Sequence, residues 1–133
     1  ADMTIENGNV INRNSPTGYA LMAAGGGTKL TVKGGRIEAI QSIGGANVTI
    51  SGGTILNDCK YYALYNQDGK TTITGGYFSG YPGMKDVYIA GGTGAIQGGY
   101  FEDNLTAAAD GYVYKDNVQT VDGITYNYEV VAQ

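Results

Sequence analysis

The side chains in this chain that could do chemistry are twelve carboxylates, twelve tyrosines and one cysteine, Cys59; histidine and tryptophan are absent. Cleavage of a polysaccharide needs grouped carboxylates, a bound calcium ion, or a base poised to take a proton. Glu38 and Glu102 fall at equivalent places in a repeat described below, three turns apart. At the usual spacing of stacked strands that is about 14 Å, wider than either carboxylate separation used in glycoside hydrolysis. Asp58, Asp68, Asp86, Asp103 and Asp110 fall mostly in turns, where aspartate bonds local backbone and stays solvated. Nothing beside Cys59 marks a nucleophile, and a lone cysteine leaves the fold without an internal disulfide. Gly25-Gly26-Gly27 and Gly91-Gly92-Thr93-Gly94 match neither phosphate-binding pattern and open no helix, so they read as turns. These residues predict no catalytic site, no metal and no cofactor.

The tyrosines are more informative. Tyr77 and Tyr100 hold the same outward position on adjacent repeats, and Tyr61, Tyr62, Tyr65, Tyr81 and Tyr88 gather in neighbouring loops and strands. Three roles fit such rings. They can form a ladder that stabilises a sheet, an interface of large area with a polar tip, or a platform for sugars.

What positions them is an internal repeat. Five segments share one pattern, exemplified by Thr49-Ile50-Ser51-Gly52-Gly53-Thr54-Ile55 and Thr72-Ile73-Thr74-Gly75-Gly76-Tyr77-Phe78. The second glycine stands at 8, 35, 53, 76 and 99, giving steps of 27, 18, 23 and 23 residues. That is one turn of a β-solenoid, too short for a βαβ unit and without helical periodicity. One apolar column reads Ile5, Val32, Ile50, Ile73, Ile96 and another Val10, Ile37, Ile55, Phe78, Phe101. Alternation along a strand sends these inward and the intervening polar residues outward, including the column Ile11, Glu38, Leu56, Ser79, Glu102. The glycine pair lets the chain bend sharply between sheets. A further strand per turn begins at Ala20, Ala39, Ala63 and Val87, and insertions at 12–19, 57–62 and 79–86 predict loops on one side.

The repeat stops after Phe101. Residues 104–109 read as one helical turn, and 112–118 and 124–131 as two strands joined across Asp122-Gly123. The expected fold is therefore an all-β, single-domain parallel β-helix (β-solenoid) of about five turns over residues 1–103. Residues 104–133 form its cap, a short helical turn plus a β-hairpin. The first turn has no comparable cover, which predicts assembly.

Composition narrows the partners. With 133 residues, 23 glycines, 15% charged residues and net charge −4, the chain has no clustered basic surface for nucleic acid. No stretch is long enough to span a membrane, and no signal-peptide pattern opens the chain.

The strings Asn47-Val48-Thr49-Ile50-Ser51-Gly52-Gly53-Thr54-Ile55 and Thr72-Ile73-Thr74-Gly75-Gly76-Tyr77-Phe78-Ser79 resemble the Gly-Gly-aromatic solenoid repeats of gut-bacterial surface proteins. Similar segments occur in virion proteins of their phages. The ending, from Gly98-Gly99-Tyr100-Phe101 to the terminal Tyr128-Glu129-Val130-Val131, is similar to the way those arrays finish. The resemblance implies architecture and an external setting, on a virion or a cell surface, and no catalytic residues. It favours a non-catalytic virion decoration, head-fibre or surface-array protein, self-associating as a trimer or docking on a capsid or surface protein. A glycan-binding adhesion module using Tyr77, Tyr100 and the loops 57–62 and 79–86 is the alternative. A polysaccharide-cleaving β-helix enzyme is the remote one.

Overall fold

The computed structural model describes residues 2–11, 19–57, 61–102 and 105–133. Among them every regular element is a β-strand, and three stacks wind into a parallel β-solenoid. Sheet A is β1 (Asp2–Ile5), β4 (Lys29–Val32), β7 (Asn47–Ile50), β10 (Lys70–Ile73) and β13 (Thr93–Ile96). Sheet B begins with β2 (Asn9–Val10), β5 (Arg36–Ile37), β8 (Thr54–Leu56), β11 (Tyr77–Ser79) and β14 (Tyr100–Phe101). Sheet C is β3 (Leu21–Ala24), β6 (Ile40–Ile43), β9 (Leu64–Asn66) and β12 (Val87–Ile89). Antiparallel β15 (Tyr112–Val121) and β16 (Ile124–Ala132) complete sheet B, with β16 paired to β14. The winding makes about 4 turns, fewer than the five repeats, because the last repeat leaves for the cap before making a third strand.

Register follows the apolar columns. Ile5, Val32, Ile50, Ile73 and Ile96 are successive partners across sheet A, and Val10, Ile37, Ile55, Phe78 and Phe101 across sheet B. All but Ile5 and Val10, on the first rung, are buried in one core. Phe78 and Phe101 stack at 5.0 Å with planes 8° apart, so the aromatic pair continues the aliphatic ladder without widening the rung.

The glycine pair has two separate causes. A Cβ on Gly52 would stand 2.3 Å from Lys33 O on the rung below, so the backbones approach too closely for any side chain. Gly53 has φ 88°, where a side chain is strained. The first-glycine column reads Asn7, Gly34, Gly52, Gly75, Gly98. Asparagine is accommodated on the first rung, beneath which no other described rung lies.

Three expectations need correction. The alanine column Ala20, Ala39, Ala63 continues into Asp86, not Val87, since Leu64 pairs with Val87. Residues 79–86 shift the alignment by one place. Residues 105–109 form no helix; Asn104 lies outside the described residues. Leu105 and Ala108 pack on the core, and Ala109 N–H donates to Ile96 O (3.0 Å), which holds the segment extended across the end of the stack. Leu56 and Ser79 are buried rather than solvated. The loops fold back over that corner, with Tyr81 N–H donating to Tyr61 O (2.9 Å) and Asn57 Nδ2 to Tyr62 O (3.0 Å).

Candidate functional site

Sheet C carries the larger tyrosine cluster. Its outward column runs Met22, Gln41, Tyr65, Tyr88 in register. Tyr65 and Tyr88 lie with centroids 5.7 Å apart and planes 8° apart, and Tyr62 closes on Tyr88 at 4.7 Å. Tyr61 extends the group through Tyr62 at 6.2 Å. Sequence reasoning missed Tyr19, which stacks on Tyr61 (6.5 Å, 6°) and Tyr65 (6.0 Å). The signal was present: Tyr19-Ala20-Leu21 and Tyr62-Ala63-Leu64 are the same tripeptide at equivalent corners. Tyr81 is exposed on the 79–86 loop, outside the ring stack.

Tyr77 and Tyr100 form a separate pair on sheet B, stacked at 4.9 Å and 12°. Tyr126 of β16 lies 5.1 Å from Tyr77 and is fully buried. A sugar platform needs free ring faces. Here each ring turns a face to its neighbour, and the hairpin covers a further face of the pair. This geometry serves a stabilising ladder better than a stacking site.

Burial raises the phenols of Tyr19, Tyr114 and Tyr126 above the ordinary value of 10.0. Their neutral forms are thus favoured in the folded protein. The resulting stability is complete below the unfolded pKa and is lost as pH rises past it. We expect the thermal midpoint to fall between about pH 9 and pH 11, with part of the phenolate absorbance appearing only on unfolding. The Tyr126 hydroxyl has no hydrogen-bond partner among the described residues. Tyr126→Phe is therefore expected to leave the midpoint unchanged or raise it, whereas Tyr126→Ala costs about 3–5 kcal/mol.

Among the described residues the only carboxylates brought together are Asp86 and Glu102, which line one small hollow under the 79–86 loop. Glu38 pairs with Arg36 Nη1 at 3.1 Å. Glu102 accepts a short hydrogen bond from Ser79 Oγ. Asp86, expected to be a solvated turn residue, is buried, because it stands where the other turns have alanine. Its Oδ1 accepts from Gly80 N–H (2.9 Å) and its Oδ2 from Glu102 N–H (2.8 Å), which ties the 79–86 loop to the last rung. Asp58, Cys59 and Asp103 lie outside the described residues. Among the described residues no three metal-ligating side chains converge, and no helix is long and apolar enough to cross a membrane.

The two ends of the stack differ. At the C-terminal end β16 covers β14, and Thr106 Oγ1 donates to Val87 O. Among the described residues β12 and β13 remain edge strands at that end, and β1, β2 and β3 each have a partner on one side only at the other. Met3, Ile11 and Met22 are exposed there, at 54%, 47% and 58%. Met3 and Met22 flank a hollow of about 90 Å³ floored by Ala23 and Leu30.

Fold and surface together define a parallel β-solenoid whose sheet B is closed at one end by an antiparallel hairpin. Compared with protein-family models, curated proteins and solved structures, the chain matches none.

Proposed function

We propose that this chain is a non-catalytic structural module that assembles through its open first rung. Further copies of the chain, closed as a trimer, form the assembly, set on a virion or a cell-surface array. The observation that supports this most directly is the asymmetry of the ends. Three strand edges and the exposed Met3, Ile11 and Met22 occur together on one rung, while at the opposite end the hairpin pairs with sheet B and leaves β12 and β13 as edges. Unpaired strand edges beside apolar surface are the usual preconditions of association. The Tyr77–Tyr100 face is a weaker contact surface, since Tyr126 already packs there. The resemblance in the repeats supplies the external setting.

Light scattering on the purified protein tests the proposal. The parent is expected to be oligomeric, and Met3→Lys combined with Met22→Lys to give monomers. Because both side chains are exposed, that variant should keep the parental melting temperature. A parent that stays monomeric at high concentration, with no affinity for any particle or surface, ends this reading.

A further inference from the structure

Sheet A turns outward a face whose chemistry is unlike the rest of the molecule. Its first outward column runs Asp2, Lys29, Asn47, Lys70, Thr93 in register, and the next Thr4, Thr31, Thr49, Thr72, Ala95. The three middle rungs carry Lys-Leu-Thr-Val, Asn-Val-Thr-Ile and Lys-Thr-Thr-Ile, without a carboxylate. In a chain of net charge −4 that is a local reversal of sign. Lys29 and Lys70 are exposed, and neither is paired with a carboxylate among the described residues. A shallow trough of about 340 Å³ runs between the two columns, lined by Lys29, Thr31, Asn47, Thr49, Lys70 and Thr72.

The hydroxyls of this face are also distinctive. In the third outward column Ser51 Oγ and Thr74 Oγ1 turn back to the carbonyls of Val32 (3.4 Å) and Ile50 (3.5 Å). Thr31, Thr49 and Thr72 make no such bond among the described residues. They therefore leave one uncommitted hydroxyl on each of three successive rungs.

We propose that this trough binds a linear acidic polysaccharide whose uronate groups fall on alternate sugars, lying along the solenoid axis. The match is one of period. Rungs repeat at about 4.8 Å, which places Lys29 and Lys70 about 9.6 Å apart at the backbone. An extended, equatorially linked sugar chain advances by roughly one rung per residue, so two rungs span a disaccharide. Each lysine then meets a carboxylate, and each threonine hydroxyl meets a sugar hydroxyl. The Asn47 amide on the middle rung faces the uncharged sugar. Lysine to carboxylate is a charge-assisted contact, stronger than a neutral hydrogen bond, and it weakens as salt is added. Asp2 stands next in the lysine column and repels an anionic chain, so the site ends at β4. This site uses β4, β7 and β10, and only Lys29 and Leu30 also line the hollow beside Met3.

The test is a titration of the full chain, followed by amide shifts, with hyaluronan octasaccharide as the alternating-uronate probe. Cello-octaose, oligogalacturonate and a short single-stranded DNA serve as comparisons. Saturable shifts centred on Thr31, Thr49 and Thr72 are expected with hyaluronan. Oligogalacturonate should bind more weakly, because its axial linkages shorten the rise per sugar and take its carboxylates out of step with Lys29 and Lys70, and cello-octaose should give no shift. Lys29→Gln with Lys70→Gln should weaken binding at least about tenfold without moving the melting temperature. The corresponding arginine pair should retain binding, and Lys115→Gln on the exposed hairpin should change nothing. Absence of saturable shifts on sheet A overturns the proposal. So does DNA binding as tightly as the octasaccharide, or Lys115→Gln weakening binding as much as the paired substitution.

Discussion

Ile50→Asp is expected to abolish folding. Ile50 has no exposed surface, and its neighbours in the column, Val32 and Ile73, are aliphatic and equally buried. A carboxylate there finds no partner for its charge. The chain must either protonate it or open the rung, and both cost several kcal/mol against a domain stability of about 5–15 kcal/mol. Ile50→Val removes one methylene from the same place and should cost only about 1 kcal/mol. Circular dichroism through a thermal ramp separates the cases. The aspartate variant should lack the cooperative melt that the valine variant keeps at a slightly lower temperature. An aspartate variant that melts like the parent would mean that the Ile50 column does not face the core.

Gly52→Ala should be among the most damaging of the mild substitutions, and Gly8→Ala one of the least. The new methyl at Gly52 meets a backbone carbonyl at 2.3 Å, and backbone cannot rotate away as a side chain can. Relief requires two rungs to separate locally, with loss of their ladder hydrogen bonds, for which about 3 kcal/mol or more is expected. Gly8 has φ 93° but, among the described residues, no atom within 4 Å of an added Cβ. Its replacement costs only left-handed backbone strain, about 1–2 kcal/mol. Urea midpoints measured on both variants give the comparison. Equal and small shifts would contradict the close approach of the rungs.

Much of the fold was legible because two kinds of information coincide in the repeat. The aliphatic positions fix which face points inward, and the glycines fix where each rung bends. Since a slip of one residue would turn every side chain over, the register across β4, β7 and β10 could be read from the columns alone. Legibility failed where a loop interrupts the count. Asp86 reads as a solvated turn residue because the 79–86 insertion hides its alignment with Ala63. Residues 105–109 contain three alanines and read as helical, but Leu105 and Ala108 reach the core only if the segment runs extended. Tertiary packing overrides local propensity there. The interior polar post was also invisible. Asn66 donates to Gly69 O (3.0 Å) and Gly91 O (2.9 Å) and accepts from Thr71 (3.1 Å), tying two turns from inside the stack. A lone asparagine between strands and turns carries no periodic signal.

The tyrosines were legible as a group, but their orientation was not. Spacing along the sequence showed that Tyr77 and Tyr100 share a column. It could not show that β15 and β16, with their irregularity between Asp116 and Gln119, bring Tyr126 onto that column. The lysine–asparagine–lysine order on sheet A became meaningful only once registration put Lys29, Asn47 and Lys70 side by side.

Asn7, in the column where every later rung has glycine, bears on how far such molecules could grow end to end. Each of those glycines sits against a carbonyl of the rung beneath. Another copy laid in register under the first rung would drive its own carbonyl into the asparagine side chain. The open strand edges can attract a neighbour, but the corner rejects the one alignment that repeats without limit. A stack of β-rungs is otherwise a short step from a fibril. One side chain larger than glycine thus acts with the C-terminal hairpin against unlimited end-to-end stacking.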